Sequence, residues 1–172
     1  VAIGANALVG GDFAGNDRQL QGNIAIGALA LDGTGANAQT GTIAIGHQSL
    51  SALTSGARNI AIGYQALEDL TIGNDNIALG YLALNGASSH ADCFANIAIG
   101  SYALDALGAN AAEKNIGIGY QAGSGITTGD DNTIVGYRAG QVTTELTTGI
   151  DNTLIGSSAI TSAVGGSNQT VI

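Results

Sequence analysis

Thirteen acidic side chains, two histidines and one cysteine are the main groups that could do chemistry in this 172-residue chain. In "SHADC" three kinds meet: His90, Asp92 and Cys93 offer imidazole, carboxylate and thiolate, donor types that zinc accepts. A closed zinc site needs a fourth ligand, commonly from a second cluster, and no second cluster exists. No metal is therefore expected there. Asp75, Asp131 and Asp151 recur immediately before an Asn, in "GNDN", "GDDN" and "GIDN". Some solenoids hold calcium with such acids, but their nonapeptide pattern is missing, and Asp and Asn favour turns without any ion. His47 stands where other units carry Tyr, Ser or Ala and reads as a surface substitution. No nucleophile is paired with a base. Neither catalysis nor a cofactor is expected.

Aromatics suggest binding instead. Tyr64, Tyr81, Tyr120 and Tyr137 each follow a Gly at the same place, with Gln65, Gln121 and Arg138 alongside. Sugars pack on aromatic platforms with polar neighbours, so these four are the leading candidates for contact with a glycan. Shielding of a turn edge is the competing, structural role. A long insertion, "VGGDFAGNDRQLQG", adds Phe13 and Arg18 as candidate receptor contacts, since loops on a rigid scaffold are where binding concentrates.

Composition narrows the partners. Net charge is −9, with four Lys and Arg, so the chain cannot neutralise a run of phosphates and nucleic acid is not an expected partner. No apolar run is long enough to span a bilayer, so no membrane insertion is expected of this segment. The lone Cys93 allows no internal disulfide. There are 28 Gly and no Pro, Trp or Met, and the Gly recur in phase, which argues for ordered repetition.

The positioning elements follow from that repeat. Gly closes an "apolar–small–apolar–Gly" unit at positions 4, 27, 46, 63, 80, 100, 119, 136 and 156, at intervals of 17 to 23 residues. Ile24, Ile43, Ile60, Ile77, Ile97 and Ile116 fill one apolar column, and Ile26, Ile45, Ile62, Leu79, Ile99 and Ile118 a second. Residues two apart share one face of a strand. Four residues after the Gly comes a Leu column: Leu8, Leu31, Leu50, Leu67, Leu84 and Leu104. Helices are excluded by the frequency of Gly, at roughly 1 kcal/mol each in a helix interior. Units this short must stack to bury their apolar faces. The expected fold is all-β, a parallel β-solenoid of about 17–20 residues per coil, with identical columns ~4.8 Å apart. Residues 1–172 read as a single solenoid segment of nine to ten coils. Since Val1 and Ile172 both fall inside repeats, it reads as part of a longer chain.

Two further columns bear on assembly. Asn23, Asn59, Asn76, Asn96, Asn115, Asn132 and Asn152 share one position, where stacked amides can form a hydrogen-bonded ladder. Between the Ile columns lie Ala25, Ala44, Ala61, Ala78, Ala98 and Gly117, then Ile134, Leu154 and Val171. With the Ile columns turned to the chain's own core, this stripe would face outward as a flat seam between chains. Thr133, Thr153 and Thr170 replace Ile in the last three units.

"NIAIGYQAL", repeated in phase with an Asn restart, resembles the YadA-like head repeats of trimeric autotransporter adhesins and the similar repeat shafts of bacteriophage tail fibres. The resemblance covers nearly the whole chain, though its units are longer than the roughly 14-residue repeat of adhesin heads. It implies a left-handed β-roll, a homotrimer around a common axis, and a non-enzymatic structural and adhesive segment of an extracellular attachment fibre, on a virion tail fibre or a bacterial cell surface. Such a fibre gives rigid reach and multivalent attachment to a host receptor, a cell-surface glycan among the candidates. The alternative is an ice- or surface-binding solenoid, for which Thr54, Thr71, Thr127 and Thr147 are the row to examine.

Overall fold

The computed structural model describes residues 1–8, 21–33, 39–86, 90–107, 112–141, 148–159 and 166–172. The "apolar–small–apolar" units become short strands: β1 (Ala2–Ile3), β2 (Ile24–Ile26), β4 (Ile43–Ile45), β6 (Ile60–Ile62) and β8 (Ile77–Leu79). They continue as β10 (Ile97–Ile99), β11 (Ile116–Ile118), β12 (Thr133–Val135), β13 (Thr153–Ile155) and β14 (Thr170–Val171). These ten form one sheet in chain order. Every pairing is parallel and column-true, so Ile43 lies beside Ile60, and Ala61 beside Ala78. The expected parallel β-solenoid is thus the fold. A second wall is shorter: β3 (Gln39–Thr40) pairs with β5 (Gly56–Ala57), and β7 (Leu70–Asn74) with β9 (His90–Phe94), all parallel. Residues 90–94, read from sequence as part of an insertion, thereby return to the wall.

Turns have a fixed backbone signature. The closing Gly has φ near +126 to +145, and the residues two and four further on are left-handed, as in Gln65 (φ 52) and Leu67 (φ 52). At Gly80 (φ +140) a Cβ would stand 2.7 Å from the backbone of Gly100 in the next coil, so only hydrogen fits. The residue before each Asn is left-handed as well: Arg58, Asp75, Lys114, Asp131 and Asp151 have φ between 56 and 63.

The strand faces invert the expected seam. Ala25, Ala44, Ala61, Ala78 and Ala98 have no exposed surface and sit inside the coil, and Ile134 and Leu154 in the same column are buried too. Gly117 shares that interior column, and Val171 packs against the core. The reason is width. The Leu column, from Leu31 to Leu104, projects into the interior from the facing turn and is fully buried. Opposite it there is room for a methyl group and little more. Even at Gly117 a Cβ would come 2.7 Å from Leu104 Cγ. Where the Leu column instead reads Gly123 and Gly140, Ile134 on the strand supplies the bulk. A Cβ on Gly140 would meet Ile134 Cδ1 at 2.9 Å, and one on Gly123 would meet Leu104 Cδ2 at 2.5 Å. Bulk is conserved across the interior while its source alternates, as close packing demands.

Asn closes each coil. Asn76 Nδ2 donates to the carbonyl of Cys93 (2.8 Å), three residues before the next Asn, and Asn96, Asn115, Asn132 and Asn152 make the same clasp. Asn59 and Asn23 do so too. Each Oδ1 accepts from the next coil: Asn96 N and Nδ2 both donate to Asn76 Oδ1, at 3.1 and 3.2 Å. From Asn59 to Asn152 the amides form an unbroken, buried ladder.

Thr42 interrupts that ladder. Gln39 fills the space, its Nε2 donating to the Leu53 carbonyl (2.6 Å), but Gln39 Oε1 and Thr42 Oγ1 are buried without a hydrogen-bond partner among the described residues. A buried unsatisfied group costs about 1–3 kcal/mol. The double variant Gln39→Gly, Thr42→Asn completes the row and is expected to stabilise the chain by about 1–3 kcal/mol in urea titration. Thr42→Asn alone, with Gln39 still occupying the amide's place, should gain less.

Candidate functional site

The turn after each closing Gly puts one side chain per coil at the same outer position. The tyrosines of that column, 40% to 51% exposed, belong to a longer row than the sequence suggested. His47 stacks on Tyr64 (5.2 Å, 12°), Tyr64 on Tyr81 (5.5 Å, 21°) and Tyr120 on Tyr137 (5.6 Å, 16°). The gap at Ser101 is bridged by Tyr102 from the neighbouring position, edge-on to both Tyr81 (5.3 Å) and Tyr120 (6.1 Å). Arg138 lies 5.3 Å from the centre of the Tyr137 ring. All five tyrosines of the chain therefore stand in one line, with His47 at its end. His47 is an integral member, not an isolated substitution, and Tyr102 had no signal in its own column.

This arrangement limits what the row can bind. Stacked rings cover one another's faces and leave edges and hydroxyls to solvent, so flat platforms for a sugar ring are few. Polar side chains run beside it: Arg138 Nε and Gln141 Nε2 both donate to Gln121 Oε1, at 3.1 and 3.0 Å. The geometry favours rings stabilising the turn edge, each pair contributing about 0.5–1.5 kcal/mol beyond area burial.

A larger surface lies on the sheet. With Ala inside, both Ile columns point outward. Ile62, Ile99, Ile118 and Ile155 are each between 36% and 40% exposed, and the first column is half-buried. Along β2, β4, β6, β8, β10 and β11 the outward positions are all Ile or Leu, without a charge. In β12, β13 and β14 the first outward position is Thr133, Thr153 and Thr170. A continuous aliphatic face of this length is unusual on a surface left in water.

The remaining candidates do not converge. Among the described residues no three of His, Cys, Asp and Glu are grouped to hold a metal ion. Asp75 is a left-handed turn residue whose carboxylate accepts from Arg58 at 2.6 and 2.8 Å, a pairing that holds the Asp75 carboxyl below its ordinary value. Asp131 and Asp151 occupy the same turn position, exposed. Cys93 is buried in the core. The Thr54 hydroxyl donates to the Thr71 carbonyl (2.9 Å), so it is engaged within the chain rather than presented to a lattice. Phe13, Arg18 and Thr147 lie outside the described residues. No helix among the described residues is long and apolar enough to cross a membrane.

Two outcomes test this account of the surface. Tyr81→Ala removes two ring contacts and Tyr137→Ala one, so thermal denaturation should show the larger loss for Tyr81→Ala, about 1–3 kcal/mol. Asp105, half-buried beside the row, has its carboxyl pushed up to about 6 by desolvation. Its folded form holds the proton more tightly than the unfolded chain, so its contribution weakens as pH rises from about 4 through about 6. Asp105→Asn should raise the melting temperature at pH 8 and leave it nearly unchanged at pH 4.

Compared with family models, curated proteins and solved structures, the chain has no match.

Proposed function

We propose that this chain is a structural segment of an extracellular attachment fibre, a homotrimeric β-solenoid of the kind found in phage tail fibres or bacterial trimeric adhesins. One observation carries the reading: a charge-free double column of aliphatic side chains runs outward along the main sheet. Ten strands ~4.8 Å apart and three residues wide make a flat strip of about 450 Å². That lies within the range of the largest apolar patches on monomers, about 300–600 Å², which are commonly interaction sites. It is about half the ~800 Å² each partner gives to a standard interface, so flanking columns would share in the contact.

A second copy is the partner that fits. An uncharged face is complementary to itself, whereas the remaining surface, at net charge −9, keeps other faces apart. The resemblance of the repeat to trimeric fibre segments sets the proposed copy number at three. The function that follows is mechanical: reach, stiffness, and the multiplication of weak receptor contacts by avidity. Receptor contact, with a cell-surface glycan as one candidate, is assigned to insertions such as residues 9–20 rather than to the self-stacked tyrosines.

Sedimentation equilibrium at neutral pH is the direct test. The expected mass is three times 16.8 kDa. Ile62→Lys with Ile99→Lys, both outward, should give a folded monomer with an unchanged circular dichroism spectrum. A wild-type monomer would overturn the proposal.

A further inference from the structure

The outward column changes character once, and the interior does not explain it. Filling the space at Gly123 and Gly140 accounts for Ile134, and Leu154 below it in the same column is also buried. It places no demand on the outward neighbours. Yet β12, β13 and β14 all carry Thr where the preceding six strands carry Ile, and their second outward column stays aliphatic as Val135, Ile155 and Ile172. The three Thr stack in register, Thr133 beside Thr153 and Thr153 beside Thr170. Their hydroxyls make no hydrogen bond within the described residues, and Thr133 and Thr153 are half-buried even in the single chain.

We infer that Thr133, Thr153 and Thr170 form a polar tier facing other copies of this chain, and that this tier fixes the copies parallel and in register. The inference rests on the oligomer proposed above. Its physical basis is asymmetry. A purely aliphatic strip with a ~4.8 Å repeat looks the same after a slip of one coil, and nearly the same when a partner is reversed. Three hydroxyls at one end remove that degeneracy. In the parallel, in-register arrangement each Thr meets Thr and the hydroxyls hydrogen-bond between chains. A slipped or reversed copy sets hydroxyls against Ile and leaves them unsatisfied, as polar core residues do when they set coiled-coil register.

The test is pulsed dipolar spectroscopy on chains carrying one nitroxide, at Ala5→Cys or at Ser157→Cys, alongside sedimentation. Both positions are exposed, and Cys93 is buried from the label. Wild-type sequence should give one short interchain distance at each site. Thr133→Ile with Thr153→Ile and Thr170→Ile should keep the oligomeric mass. It should also add populations displaced by steps of ~5 Å, or lengthened toward the ~40 Å expected of reversed copies. The matching Thr→Ser triple variant should restore the single distance. If the wild type is a monomer, the fibre reading itself falls. If it is an oligomer and the isoleucine variant keeps one unchanged distance, the tier does not set register and this inference alone is overturned.

Discussion

The width of the coil interior governs this molecule. Between the strand and the facing turn the coil has room for a single branched side chain, and the Leu at the left-handed turn position takes that place. Ala on the strand is the residue that still fits. The two flanking Ile must then point away from the core, so a limit on interior volume creates an apolar exterior. That exterior is a long, charge-free aliphatic surface on the main sheet. The exchange at Gly123 and Gly140 obeys the same limit with the walls reversed, Ile134 supplying what the turn withholds.

Much of the fold was legible in the sequence because it rests on period and backbone chemistry. In-phase Gly marked the turns, alternation marked the strands, and the Asn restart marked the ladder, though not the clasp by which each amide closes its own coil. The facing of the strand was not legible from one column at a time. "Ile-Ala-Ile" satisfies period two whichever way it points, and hydrophobicity alone favours Ile inside. The deciding signal was a correlation between columns six residues apart: Ala in the strand with Leu in the turn, and Ile134 with Gly140. Tyr102 escaped for a related reason. It comes from the adjacent left-handed position, and only stacking in three dimensions brings it into the row. The acids of the "DN" pairs look like ligands in one dimension; in the structure they are left-handed turn residues at the place Lys114 and Arg58 occupy in other coils.

Repetition also concentrates variation. The closing Gly, the clasp and the left-handed turn leave little freedom in a coil, and the coils differ mostly in the segment between the Leu column and the next Asn. In the sequence, residues 9–20, 34–38 and 142–147 all fall in that interval, while the main sheet stays uniform. Coils laid out this way can differ in length without disturbing the outward columns of the main sheet.

The Asn ladder has a direction. Each Oδ1 accepts from the coil that follows it in sequence, and each Nδ2 closes its own coil. A finished coil therefore already presents, in place, the side-chain acceptor that the next Asn needs. Chain leaving a ribosome or a secretion pore N-terminus first can wind on turn by turn, each turn templating the next. The structure is suited to being built at the rate at which it emerges.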